Sequence, residues 1–204
     1  MQKHQLKIKN SYKKLGRQYV DDIKDLEPAD FKQFIGLLPK KSTILDVGCA
    51  AGRDSAKLVN AGFNVVGIDL VEEFIKLARK RVPRGKFFVM DLVDLKIPKN
   101  YFDGVWACAV LLHIEKKDVL KVLKSIFQVL KDGGLLNISV KRGKDSKVLV
   151  DKLFQGFGRN FTPFFKQELE EYVQKAGFTI VKSRIFPDEA KRKNVKWISI
   201  LAVK

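Results

Sequence analysis

The chain is 204 residues long and 46% hydrophobic, enough to bury one good core and short of what several ordinary domains need. Its 40 Lys/Arg against 23 Asp/Glu leave a formal net charge of +17, which suits either a polyanionic partner such as RNA or DNA or a set of solvated basic faces. Two cysteines, Cys49 and Cys108, lie far apart and no apolar run is long. A disulfide framework, a zinc cluster and a membrane span are therefore disfavoured, and the polar, lysine-rich start disfavours a secretory leader; a soluble, cytoplasmic protein that binds no metal is expected.

Residues 1–20 carry six Lys/Arg and no Asp/Glu. Residues 1–40 read as helical cover, broken at Pro28 and Pro39, over a main domain spanning 41–204, the two forming one compact unit. Residues 44–47 make a short apolar strand that enters a turn through Gly48, Ala50 and Gly52 and leaves as a helix over 55–59. Residues 64–69 read as a second strand and 71–80 as an amphipathic helix stopped near Pro83. A third strand covers 86–90 and a fourth 102–108. A helix over 116–131 keeps Val119, Val122, Leu123, Ile126 and Leu130 on one face, and Asp132-Gly133-Gly134 ends it before a fifth strand at 135–140. Thr162-Pro163 reads as the cap of a helix over 164–175, with Gly177 ending it. Strands at 178–186 and 196–203 then follow with no helix between them. The alternation predicts an α/β fold, a doubly wound three-layer sandwich with a mostly parallel sheet, and the final pair predicts an antiparallel hairpin at one edge.

The turn after the first strand is built to hold a ligand. Small residues let the backbone approach a bound molecule, the N–H groups opening the next helix face the same space, and Asp46 adds a carboxylate. Neither G-x-G-x-x-G of dinucleotide folds nor G-x-x-x-x-G-K-[ST] of P-loops fits these residues. Asp69 closes the second strand about twenty residues on, where carboxylates of nucleotide-binding α/β folds accept ribose hydroxyls; a helix cap is its alternative role.

Asp46-Val47-Gly48-Cys49-Ala50-Ala51-Gly52 resembles the first motif of the class I S-adenosylmethionine-dependent methyltransferases, D-x-G-x-G-x-G, with Ala50 in place of the commonest glycine. Residues 102–114, Phe-Asp-Gly-Val-Trp-Ala-Cys-Ala-Val-Leu-Leu-His-Ile, resemble that family's F-D-x-V-x-x-x-x-x-L-x-H stretch. The resemblance implies a seven-stranded sheet with an antiparallel last strand, and S-adenosylmethionine as cofactor. Asp46, Gly48, Cys49, Ala50 and Gly52 would line its methionine part, Asp69 and Leu70 the ribose, Asp91 and Leu92 the adenine, and Ala107 and Cys108 the floor. Asp94 is a weaker candidate beside Asp91, and an Asx cap is the alternative for both.

His113 is the candidate general base, with packing as its alternative, because its charge changes near neutral pH. Cys108, alone in an apolar strand, reads as core rather than nucleophile. Tyr12, Arg17 and Tyr19 match a Y-x-x-x-A-x-x-Y lead-in only loosely and are candidates for a lid or substrate contact. Lys141, Arg142 and Lys144 follow the fifth strand, where an anionic substrate or plain solvent could meet them. The expected activity is methyl transfer to a small molecule. RNA as acceptor, an inactive cofactor-binding module and a dinucleotide oxidoreductase are the alternatives, and the sequence gives no expectation for oligomeric state.

Overall fold

The computed structural model describes residues 3–143, 149–150, 160–188, 190, 192 and 195–204. Seven strands form the main sheet: β1 (Thr43–Val47), β2 (Asn64–Asp69), β3 (Lys86–Val89), β4 (Phe102–Cys108), β5 (Leu130–Lys141), β6 (Thr179–Pro187) and β7 (Lys196–Val203). Their spatial order is β3-β2-β1-β4-β5-β7-β6. β1 to β5 pair in parallel, and β7 runs antiparallel to both neighbours. The sequence-predicted seven-stranded sheet with one antiparallel strand is thus the observed one. A separate two-residue ribbon pairs Leu149–Val150 with Asn160–Phe161.

The central strands are apolar without alternation because helices cover both of their faces. On one face, Phe31 and Phe34 of α2 (Phe31–Gly36), Leu58 of α3 (Arg53–Asn60) and Ile75 of α4 (Glu72–Arg81) close over Ile44, Val65 and Trp106. On the other, Val122, Leu123 and Ile126 of α5 (Lys116–Val129) and Leu169 of α6 (Lys166–Lys175) close over Leu45, Val105 and Ile138. Each layer buries an amphipathic stripe it could not bury alone. No helix among the described residues is long and apolar enough to cross a membrane.

Two boundaries differ from the sequence expectation. α5 stops at Val129, two residues early, because Leu130 turns extended (ψ 142°) and pairs with Phe102 in β5. The register then breaks between Phe102 and Gly104, so that Gly133 and Gly134 form a bulge inside the strand region rather than a helix stop. α6 starts at Lys166, not at 164, and Thr162 does not cap it. Phe164 bridges to Arg142, and Glu168 accepts the Phe165 N–H at 3.3 Å to cap the helix.

α1 (Lys3–Ile23) lies across the carboxyl ends of the strands, packing Tyr12 and Leu15 on Val71 and Phe74. Its helical path breaks at Gly16 (φ 50°, ψ −132°). A Cβ at Gly16 would meet nothing within 4 Å, so the glycine answers a backbone demand, not a spatial one. β1 and β4 are neighbours although β2 and β3 intervene in sequence, so the loops after β1 and β4 diverge and leave a crevice between them.

Phe34 is fully buried, its ring 5.2 Å from that of Trp106. Phe34→Ala should lower stability by about 3–5 kcal/mol, seen as an earlier urea midpoint with an unchanged slope.

Candidate active site

The turn after β1 is held by the end of β2. The Gly48 and Cys49 N–H groups donate to the Ile68 carbonyl at 2.8 and 3.0 Å. The Asp69 carboxylate then accepts the Ala50 N–H at 3.0 Å and the Val71 N–H at 2.8 Å. Gly48, Ala50 and Gly52 all have positive φ (69°, 46° and 77°). Ala50 therefore adopts the left-handed conformation that glycine takes more readily. At Gly48 a Cβ would stand 2.6 Å from a Val110 methyl, so that position admits no side chain.

Two carboxylates in this frame hold their protons to higher pH than usual. Burial, opposed by the backbone N–H bonds, pushes Asp69 up to about 6. Burial first, and the like charge of Asp54 second, push Asp46 up to about 7, although the Ser55 hydroxyl donates to it at 2.5 Å. Asp54 itself takes both arms of Arg53, at 2.6 and 3.0 Å, and the Trp106 indole N–H at 3.0 Å. Burial opposes the Arg53 charge, but Asp54 overrides it and holds the guanidinium above its usual value.

Two cavities meet at this turn. The smaller, about 100 Å³, is bounded by Gly48, Asp69, Leu70, Asp91, Leu92 and the α1 side chains Gln5 and Ile8. The larger, about 440 Å³, runs from Asp46, Gly48 and Ala50 toward Ser139, Lys141 and the rings of Tyr19, Phe161, Phe186 and Trp197. Cys108, Ala109, Tyr12 and His113 border both. At that junction the Tyr12 hydroxyl lies 2.8 Å from His113 Nε2, and His4 Nε2 donates to the His113 carbonyl at 3.0 Å.

The structure brings most of the sequence-predicted residues to this crevice. Asp46, Gly48, Cys49 and Ala50 border the larger cavity, and Asp69, Leu70, Asp91 and Leu92 the smaller. Two of the expected cofactor residues stand elsewhere. Ala107 is wholly buried in the core and borders neither cavity, because alternation along β4 turns it into the α5 layer; the floor is Cys108 and Ala109. Gly52 packs toward Ala78 of α4 and Val82 just beyond it. Cys49 presents backbone rather than thiol chemistry, since burial first and the Asp46 and Asp69 charges second raise its thiol well above the ordinary range. Asp91 accepts the Val93 N–H at 3.0 Å, so it does cap a short turn, while Asp94 is exposed and paired with Lys96. Arg17 and Arg142 are exposed and border neither cavity; Lys141 sits 4.4 Å from the Phe161 ring centroid. Lys144 lies outside the described residues.

Residues not anticipated from sequence include Gln5, Arg53, Asp54, Ser139 and Trp197. Gln5 did leave a signal: it falls on the stripe Gln5, Ile8, Tyr12, Leu15, Tyr19, spaced by three and four residues, where a polar side chain interrupts an apolar face.

Residues 44–134 match a family model described as a methyltransferase domain. The chain is 36% identical over 123 residues to the Bacillus subtilis methyltransferase candidate YqeM, covering 57% of this chain and 50% of that protein. These likenesses make the chain similar to the class I S-adenosylmethionine-dependent methyltransferases. A Synechocystis 2-methyl-6-phytyl-1,4-hydroquinone methyltransferase is 35% identical over 114 residues, covering 54% of this chain and 35% of that one. The chain thus spans half or less of the length of these two relatives. Among solved structures, a Burkholderia thailandensis 1,6-didemethyltoxoflavin-N1-methyltransferase with bound 1,6-didemethyltoxoflavin and S-adenosylhomocysteine has the same fold. Its TM-score is 0.78 at 23% identity, over 98% of this chain and 88% of that one.

The raised carboxyls carry a pH signature. Where a folded-state pKa lies above the unfolded value, the native state binds the extra proton, and stability falls as pH rises between the two values. For Asp46 the window runs from about 4 to about 7. The ligand-free protein should therefore lose stability across that range, and Asp46→Asn should flatten the loss, as followed by urea midpoints at successive pH values. A midpoint series that is equally steep in the variant would show Asp46 to be ionised in the native state.

Proposed function

We propose that this chain catalyses methyl transfer from S-adenosylmethionine, held across the β1/β4 crevice, to a small-molecule acceptor in the larger cavity. The observation that carries the reading is Asp69, a buried carboxylate at the end of β2 that already ties down the Gly48–Ala50 turn and faces the smaller cavity. The residues fit the cofactor in kind. The bare backbone at Gly48 offers close approach to its methionine part, Asp46 lies beside that stretch, Asp69 is an acceptor for ribose hydroxyls, and Asp91 with the backbone at Leu92 can meet an adenine edge. The bound cofactor supplies an electrophilic methyl group on a positively charged sulfur.

The chain's own task is alignment and exclusion of water. An acceptor atom in the larger cavity must approach from the side of Cys108 and Ala109, which border both spaces. His113, at the same border, can take the proton an acceptor loses, with the Tyr12 hydroxyl at 2.8 Å fixing its ring. A small acceptor is favoured by the volume of about 440 Å³ and by the rings of Tyr19, Phe161, Phe186 and Trp197 along its wall. Two of the similar proteins act on, or hold, small ring compounds by name. Asp188, held down at about 2 because the Arg192 and Trp197 bonds outweigh its burial, keeps that wall in shape. RNA is the second reading, favoured by the +17 charge and the basic first twenty residues. The cytoplasm is the compartment that suits a chain with two cysteines and no disulfide framework.

Asp69→Ala should weaken S-adenosylhomocysteine binding about 10- to 100-fold in calorimetry, the loss of one or two charge-assisted hydrogen bonds. Unchanged affinity would mean that the ribose lies elsewhere. Incubating the protein with tritiated-methyl cofactor and whole extract should put label in the small-molecule fraction, insensitive to ribonuclease. Label that ribonuclease releases would transfer the proposal to RNA.

A further inference from the structure

Gln5 is a polar side chain lining the smaller cavity whose chemistry methyl transfer as proposed leaves unused. It is 3% exposed, and among the described residues neither its Oε1 nor its Nε2 has a hydrogen-bond partner. A buried carboxamide with both ends unmet costs stability, so such groups are retained where something outside the protein meets them. Gln5 borders the smaller cavity together with Leu70, Met90, Asp91, Leu92 and Ile114, and it does not border the larger one. It thus faces the adenosine end of the site and not the acceptor end.

We propose that the Gln5 carboxamide, carried on α1, hydrogen-bonds the adenine of the cofactor through the 6-amino group and an adjacent ring nitrogen. The inference rests on the cofactor orientation proposed above. A carboxamide places one acceptor beside one donor in a plane, and adenine's amino group beside a ring nitrogen is the complementary pair. The amino group has two hydrogens, so Asp91 and Gln5 can each accept one. Asp69 is committed to the ribose side, where its oxygens also hold the Ala50 and Val71 N–H groups. The apolar remainder of the cavity, Ile8, Met90, Leu92 and Ile114, suits the faces of a flat heterocycle.

The same half of α1 is fastened over the cavity by bonds to the segment after β4 and to α4. His4 reaches the His113 carbonyl at 3.0 Å, the Tyr12 hydroxyl lies 2.8 Å from His113 Nε2, and Lys13 pairs with Glu73 at 3.2 Å. The break at Gly16 separates this half from the rest of the helix. Gln5 is therefore positioned by the roof of the site and not by its sheet, so cofactor binding and the seating of α1 strengthen each other.

The test is calorimetric titration of the full chain and of Gln5→Leu with S-adenosylhomocysteine and with its purine analogue lacking the 6-amino group, alongside melting of the ligand-free proteins. Gln5→Leu should bind S-adenosylhomocysteine at least 10-fold more weakly and should lose part of the wild-type preference for adenine over purine, the share of Asp91 remaining. Its ligand-free melting temperature should stay equal or rise, because an unmet amide has left the interior. Unchanged affinity overturns the proposal. An equal loss for both ligands also overturns it, since that would report displacement of the helix and not a lost base contact. A wild-type chain that binds neither ligand would instead sink the methyltransferase reading on which the proposal stands.

Discussion

The crevice depends on one carboxylate. Asp69 ends β2, yet its oxygens accept N–H groups from the turn after β1 and from the start of α4. Parallel neighbouring strands release their chains in the same direction, and nothing in a β ladder decides how the emerging loops sit. Asp69 decides it here. With the Ile68 carbonyl taking the Gly48 and Cys49 N–H groups, the turn is tied to β2 and meets the loop after β4 where Gly48 abuts Val110. The crevice between them lies where strand order reverses, the place where open α/β sheets bind ligands.

That arrangement is expensive in electrostatic terms. Asp46, Asp54 and Asp69 all stand at one sheet edge, and burial raises two of them to about 7 and about 6. Arg53 neutralises Asp54, and the Trp106 indole ties that pair to the core. No comparable cation meets Asp46 or Asp69 among the bonds described; they rely on a hydroxyl and on backbone N–H groups. A fold selected for stability alone would place apolar side chains at such positions. Their presence supports the proposed ligand, since a nucleoside joined to an amino acid offers hydroxyl and ammonium donors.

Much of this was legible in the sequence because the signals were local. The apolar runs at 44–47, 64–69 and 102–108 matched their strands to within a residue. The small residues at 48, 50 and 52 predicted a turn that positive φ values at all three confirm. What escaped depended on long-range pairing. Leu130 looked helical by period, but Phe102 recruits it into β5; Thr162-Pro163 looked like a cap, but the Thr162 N–H is taken by the Leu112 carbonyl at 2.7 Å. Ala107 and Cys108 read as equivalent neighbours, and the strand's two-residue alternation sends only Cys108 toward the crevice. Gln5 left a trace as the polar member of an apolar helix stripe, but nothing in such a stripe says which cavity it will face.

The most direct measurement is a side-by-side calorimetric titration of the ligand-free chain with S-adenosylhomocysteine and with NAD. The structure predicts saturable one-to-one binding of S-adenosylhomocysteine at micromolar concentrations and no heat from NAD at a hundredfold excess. NAD binding as tight as, or tighter than, S-adenosylhomocysteine would contradict the account at its root.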